Sequence, residues 1–214
     1  MKGLFVKDLL ILKNQKRNFL ILPAIIIMYS FMGMGGVIME FMGLIMLMYA
    51  NGTIAYDEFD NGAAFLFTMP FTRKQYVLEK YLFTIAAGIT GIIAGVIAVL
   101  ISGIFTVKIP FDEIAVNSAA AVLLCAMTNS VMLPVTLKYG SEKSRTVMMV
   151  VFGGLTAAGV LILKMFPEIA EGSITEFPDT LNLPLLIIAC AAPSAVMLCI
   201  SCAVSAGIME KKEF

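Results

Sequence analysis

The chain has 214 residues, of which 60% are apolar and 14% are charged, with 15 basic and 15 acidic side chains. A soluble domain carries about 25% charged residues, so this composition excludes that class and indicates an integral membrane protein. Zero net charge gives no reason to expect nucleic-acid binding, and the absence of His removes the commonest general base and metal ligand.

Six apolar stretches separated by short polar segments predict one all-α transmembrane domain over residues 1–214. Of the 15 Lys and Arg residues, 13 fall in alternate polar segments, whereas the acidic residues show no such bias. Because basic residues accumulate in cytoplasmic loops, both termini are predicted to be cytoplasmic. The predicted spans are 19–38, 41–56, 81–106, 114–137, 146–166 and 181–207.

Residues 1–18 predict an amphipathic helix that lies on the inner membrane surface. Its apolar side is formed mainly by Phe5, Leu9 and Leu12, and Lys7 and Asp8 lie on the opposite, polar side. The alternative is a polar extension of the first span. The basic side chains expected to hold anionic lipid are Lys7, Lys13, Lys16 and Arg17.

Residues 19–56 contain a single charged side chain, Glu40. As one helix they would extend about 57 Å, roughly twice the hydrocarbon thickness, so two spans with a tight outer turn are predicted. Gly33, Gly35, Gly36 and Glu40 mark the region of that turn. Glu40 is predicted at the outer surface, and the alternative is a buried functional carboxylate.

Residues 57–80 are the longest predicted cytoplasmic loop and are not uniformly polar. Acidic residues are followed by a short apolar block, for which a helix over 62–69 is predicted, with Asn61 as its N-cap and Pro70 as its end. Exposed Phe residues on two helical turns should dock onto a partner or dip into the inner leaflet.

The remaining spans carry few features that suggest chemistry. Ala87, Gly91 and Gly95 repeat a small residue every fourth position, which predicts close helix packing in the third span. The four Cys residues are interpreted as free packing side chains, and no metal site is predicted. No P-loop and no catalytic set are present. The sequence therefore predicts a non-catalytic membrane chain that draws energy from elsewhere.

Three motifs in order resemble the membrane subunits of type-2 ABC exporters. The N-terminal segment 1–15 precedes the first span, and the inner turn 138–145 contains Tyr-Gly-x-Glu-Lys-x-Arg. The loop 57–80 leads into the third span through Glu79-Lys80-Tyr81. The resemblance implies a homo- or heterodimer of such subunits seated on two separate ABC ATPase subunits. It implies no cofactor in this chain, with ATP and Mg bound by the ATPase.

The same resemblance implies that the loop between spans two and three contains a coupling helix that rests in a groove of the ATPase. Small members of the class include bacterial exporters of amphipathic peptides such as phenol-soluble modulins, which implies outward peptide transport across a bacterial cytoplasmic membrane. An ion-coupled carrier that uses Glu40 and a passive immunity or binding protein are the alternatives. The residues that the resemblance places in coupling are Asp57, Glu58, Asp60, Phe65, Leu66, Phe67, Met69, Arg73 and Lys74.

Overall fold

The computed structural model describes residues 2–15, 21–31, 35–59, 62–105, 109–150, 153–154 and 183–212. These ranges are helical and contain no strand, and residues 141–150 form one of the helical segments. The other helices, numbered in chain order, are α1 (Lys2–Asn14), α2 (Ile21–Phe31), α3 (Gly35–Asn51), α4 (Thr53–Glu58), α5 (Gly62–Leu66), α6 (Arg73–Phe105), α7 (Phe111–Tyr139) and α8 (Leu183–Lys211).

Several of these helices are long and apolar enough to cross a membrane. α2 covers part of the first predicted span, and most of the fifth predicted span lies outside the described residues. The structure therefore shows a multi-spanning helical protein, and the total of six spans stays a prediction. The four candidate spans in the described part are Gly36–Glu58, Arg73–Gly103, Phe111–Tyr139 and Ala191–Lys211.

Two helices begin earlier than the predicted spans. α3 begins at Gly35, so Glu40 is half-buried within a helix and not in the turn. α6 begins at Arg73, eight residues before the predicted span, because Thr72 and Gln75 cap its first turn reciprocally. The main-chain N–H of Gln75 donates to Thr72 Oγ1 at 3.2 Å, and the main-chain N–H of Thr72 donates to the side-chain Oε1 of Gln75 at 3.1 Å.

α3 and α6 pack closely along the predicted stripe of small residues. A Cβ atom on Gly91 would clash with the main-chain oxygen of Met42, and one on Gly95 would lie 2.7 Å from Cα of Met39. Ala87 is buried in the same interface beside Ala50. The two glycines therefore allow a main-chain approach that any larger residue would prevent.

We expect Gly91→Ala to lower the unfolding free energy by about 1–3 kcal/mol, because the added methyl group forces the main chains of α3 and α6 apart. Gly88→Ala is the matched control on the same helix, since its Cβ atom would lie 3.7 Å from Leu47 Cδ1, an ordinary contact. Thermal unfolding in detergent checks the pair. A lower melting temperature for Gly88→Ala than for Gly91→Ala would contradict this packing.

α8 is attached to the other helices through buried hydroxyl groups. The Tyr81 hydroxyl on α6 lies 2.6 Å from Ser201 Oγ and 2.8 Å from Ser205 Oγ. Ser201 Oγ also donates to the carbonyl oxygen of Ser130 on α7, at 2.6 Å. These bonds fix α8 against both α6 and α7.

The segments rich in basic residues gather at one end of the helix bundle. Lys7 on α1 pairs with Asp57 on α4, and Lys212 donates to the carbonyl oxygen of Leu137 near the end of α7. Arg73, at the start of α6, contacts the main chain at the end of α8. We name this end, formed by α1, α4, α5, the start of α6, the turn at Gly140 and residues 207–212, the basic end. Its cytoplasmic orientation stays a prediction.

Candidate functional site

The basic end contains a buried network of charged side chains. Lys80 on α6 is fully buried and pairs with Asp8 on α1 and with Asp57 on α4, its Nζ lying 2.9 Å from Asp57 Oδ2. Lys80 Nζ also donates to Thr53 Oγ1 at 3.0 Å, and Tyr76 Oη donates to Asp57 Oδ2 at 2.9 Å. An ammonium ion can be buried here because carboxylates and a hydroxyl replace its water.

Lys7 supplies the second positive charge of this network. It pairs with Asp57 and lies 3.2 Å from Asp8 Oδ1. Burial by itself lowers the pKa of Lys7, but the hydrogen bonds and charge attraction of Asp57 and Asp8 outweigh it and hold that pKa above the ordinary value of 10.5. Lys7 is therefore an ammonium ion at physiological pH. We call Lys7, Asp8, Thr53, Asp57, Tyr76 and Lys80 the ionic cluster.

The ionic cluster corrects the predicted orientation of α1. Asp8 is fully buried, not on a water-facing side, and Leu4 is buried with it. Besides its neighbour Lys7, Asp8 bonds to Thr53 and Lys80, which lie 45 and 72 positions away, so the pattern of α1 alone could not reveal these two partners. The polar side of α1 therefore packs against the other helices of the protein and not against water.

The outer side of α1 is apolar. Val6, Leu9 and Leu10 are each more than half exposed, which suits contact with lipid. Lys13 is exposed beside them. The other two basic residues proposed for lipid contact, Lys16 and Arg17, lie outside the described residues.

α5 lies in the loop 57–80, for which the sequence predicts a short helix that docks onto a partner. It ends at Leu66, not at 69, because the amides of Thr68 and Met69 bond three residues back and close a turn before Pro70. Phe65 is 67% exposed and Met69 is 44% exposed, so both are available to a partner.

Two other large apolar residues of this block, Leu66 and Phe67, point into the protein. Leu66 is buried in a core cluster with Ile54 and Tyr76. Phe67 packs edge-on against the Tyr76 ring, with centroids 5.5 Å apart. Leu66 and Phe67 therefore anchor the segment that Phe65 and Met69 expose.

Glu58 connects α4 to the rest of the basic end. Its Oε2 accepts a hydrogen bond at 2.7 Å from the amide of Ser141, which begins the 141–150 helix, and a carboxylate is favoured at a helix start. Its Oε1 lies 3.5 Å from Lys212 Nζ. Glu58 thus joins the Gly140 turn to the chain after α8. Asp60 lies outside the described residues.

Arg73 and Lys74 hold the end of α8. The Arg73 guanidinium donates to the carbonyl oxygens of Met209, Glu210 and Lys212 at 3.1, 2.9 and 2.8 Å. These are carbonyls that a helix end leaves without helical partners, and a cation is favoured there. Lys74 pairs with the Glu210 side chain at 3.0 Å, and both remain largely exposed.

Thr53, Tyr76 and Lys80 are cluster residues that sequence reasoning did not assign to a site. The available signal was a Glu79-Lys80 pair inside a helix that proves to continue into a span, where charges are rare and costly. Glu79 is also buried, and within the described part of the chain neither of its carboxylate oxygens has a hydrogen-bond partner.

The described residues offer no cluster of three or more Cys, Asp or Glu side chains suited to a metal ion. Apolar helices joined at one end by a buried ionic cluster define a multi-spanning helical membrane protein. The chain belongs to the ABC-2 family: the family model described as ABC-2 family transporter protein matches residues 3–210. Members of this family are membrane subunits, generally non-catalytic, whose ATPases are separate chains. Searches of curated proteins and of solved structures found no match.

Proposed function

We propose that the chain is the membrane subunit of an ATP-driven exporter that moves amphipathic or hydrophobic peptides outward by alternating access. Membership of the ABC-2 family supports the transporter role. The cargo class rests on the resemblance of the sequence motifs to those of small peptide exporters. In this proposal two membrane subunits pair in a bacterial cytoplasmic membrane, each with six spans and cytoplasmic termini. ATP and Mg bind to the partner ATPase subunits.

The coupling role is supported by the position of α5 in the chain between two residues of the ionic cluster. Asp57 precedes α5 and Tyr76 follows it, and a 2.9 Å hydrogen bond joins their side chains. Phe65 and Met69 stand exposed between these anchors. A large exposed apolar pair on a firmly anchored segment is typical of a protein contact site.

The ionic cluster supplies a path from α5 to the membrane helices. A force on α5 acts on Asp57, which is bonded to Lys7 on α1 and to Lys80 on α6. Closure of the ATPase pair on ATP would thus shift α1 and α6 together. Each nucleotide state then favours one of two arrangements of the spans through differential contacts.

The ATPase partner is tested by isolating the chain from its native membrane in mild detergent and assaying the eluate for ATP hydrolysis. We expect a separate subunit with a P-loop to co-purify. A chain that elutes alone, without ATPase activity, under conditions that preserve other membrane complexes would contradict the proposal. It would favour a passive binder, or a carrier whose transport is lost in Glu40→Gln.

A further inference from the structure

Glu79 is a buried carboxyl group without a polar partner. It follows Leu78 on α6, directly before Lys80, and only 2% of the residue is exposed. Neither of its carboxylate oxygens has a hydrogen-bond partner in the part of the chain that the structure describes. Removing a carboxylate from water is costly unless donors or cations replace that water, whereas the protonated form carries no charge. The burial of Glu79 therefore favours its neutral form.

The ionic cluster beside Glu79 is already neutral without it. Its two ammonium groups belong to Lys7 and Lys80, and its two carboxylates belong to Asp8 and Asp57. These four groups are paired with one another, so an ionised Glu79 would add one uncompensated negative charge to the buried set. The charges of Asp8 and Asp57 also act against its ionisation, although Lys7 and Lys80 act in its favour.

The other helices around α6 bring little compensation to Glu79 in the described part of the chain. Tyr76, three residues earlier on α6, donates its hydroxyl to Asp57. α3 carries one charged side chain, Glu40, which is itself acidic. The remaining charged side chains of α1, α7 and α8 near the basic end whose exposure the structure describes face solvent: Lys13, Lys138, Glu210 and Lys211.

α1 covers the face of α6 on which Glu79 lies. Phe83 follows Glu79 by one helical turn on that face, and its ring packs edge-on against Phe5 of α1, with centroids 5.2 Å apart. Leu12 of α1 packs against the same buried group, which includes Phe83 and Ala50. Separation of α1 from α6 would therefore admit water to Glu79, and a hydrated Glu is ionised at neutral pH.

We infer that Glu79 is a proton-binding site, which is protonated while α1 is docked on α6 and releases its proton to water when α1 separates. The inference concerns the chain itself and holds with or without the exporter role. The neutral carboxyl group supports docking at low pH, and this support is lost as the pH rises and the group ionises. A movement of α1 driven from α5 would thus be linked to the release of one proton.

The test is hydrogen exchange of the α1 main-chain amides, followed by mass spectrometry on the purified full chain in phosphatidylcholine nanodiscs. After correction for intrinsic exchange rates, we expect the opening constant of α1 to be about tenfold or more larger at about pH 7.5 than at about pH 5.5. Glu79→Gln cannot ionise and should keep the low-pH opening constant of the wild type at both pH values.

Two features make the comparison specific to Glu79. The chain has no His, so few other side chains titrate between these pH values. Glu142→Gln, at an exposed position of the 141–150 helix, is the matched control and should retain the pH dependence of the wild type. Infrared spectra at the higher pH should also show the carbonyl stretch of a protonated carboxylic acid in the wild type, and Glu79→Gln should remove it.

Three results would overturn the inference. The first is a pH dependence of α1 opening that persists in Glu79→Gln, and the second is the absence of the carboxylic-acid band. The third is an opening constant that depends on sodium concentration at fixed pH and loses this dependence in Glu79→Gln, which would assign the site to a metal cation.

Misfolding of a variant does not leave the inference untested. If Glu79→Gln fails to fold, Glu79→Met replaces the acid by an uncharged side chain of similar length. Failure of both would show that the site needs an ionised carboxylate and would contradict the proton site. The assay contains no ATPase, so it is independent of the co-purification test. An ATPase partner without pH-dependent opening of α1 would refute the proton site and leave the proposed exporter role in place.

Discussion

Replacement of Lys80 by Met is expected to remove about 3–5 kcal/mol of unfolding free energy, because it leaves Asp8 and Asp57 buried with only Lys7 to compensate them. Lys80 is fully buried, so water cannot replace its ammonium group without rearrangement. Denaturant or thermal unfolding of the full chain in detergent measures the loss.

Lys74→Met is the matched control, since Lys74 lies on the same helix and its pair with Glu210 is exposed, at 69% and 51% of the two side chains. Exposed pairs contribute about 0–1 kcal/mol. Adding Asp8→Leu to Lys80→Met should restore part of the stability, because the uncompensated carboxylate is then removed. Equal unfolding of the Lys80→Met and Lys74→Met variants would show that the ionic cluster does not stabilise the basic end.

Phe65→Asp is expected to reduce the amount of co-purifying ATPase about tenfold or more while leaving the unfolding temperature of the chain unchanged. The side chain is 67% exposed, so the change should be tolerated in the free subunit. A charge in place of an aromatic anchor would, however, have to be desolvated in the partner's groove. ATPase activity in the eluate of the detergent-purified chain measures the effect.

Phe111→Asp is the control for this experiment, because Phe111 is 75% exposed and begins α7, at the end of the bundle opposite to Tyr139 and the basic end. It should retain the ATPase. Phe67→Asp should also lose the partner, but with a lower unfolding temperature, since Phe67 packs on Tyr76. Normal ATPase recovery with Phe65→Asp would disprove the docking role of α5.

The apolar stretches of the sequence located α3, α6, α7 and α8, because long helices without charge are needed to cross lipid. They did not locate the helix ends. Hydropathy reports where side chains meet lipid, whereas α6 begins where Thr72 and Gln75 cap its free amides, eight residues before the predicted span. Thr-x-x-Gln was visible in the sequence as a capping signal.

The ionic cluster could not be predicted from a single sequence. Asp8 is on the polar side of α1, as expected, but its surroundings are set by Thr53 and Lys80, which only the tertiary fold brings there. The exposure of Phe65 and Met69 agrees with the sequence pattern of the loop 57–80, and the docking role of that loop stays a prediction. The inward packing of Leu66 and Phe67 depends on Tyr76 and Ile54, contacts that periodicity in a five-residue helix cannot specify.

The three carbonyl groups that accept hydrogen bonds from Arg73 constrain the order in which the basic end can form during synthesis. They belong to residues translated 136 to 139 positions after Arg73. During synthesis, the start of α6 thus emerges from the ribosome long before the residues that fix it exist. Because Met209 of α8 packs in the same buried cluster as Leu66 of α5, the segment around α5 can be completed only after α8 has been synthesised.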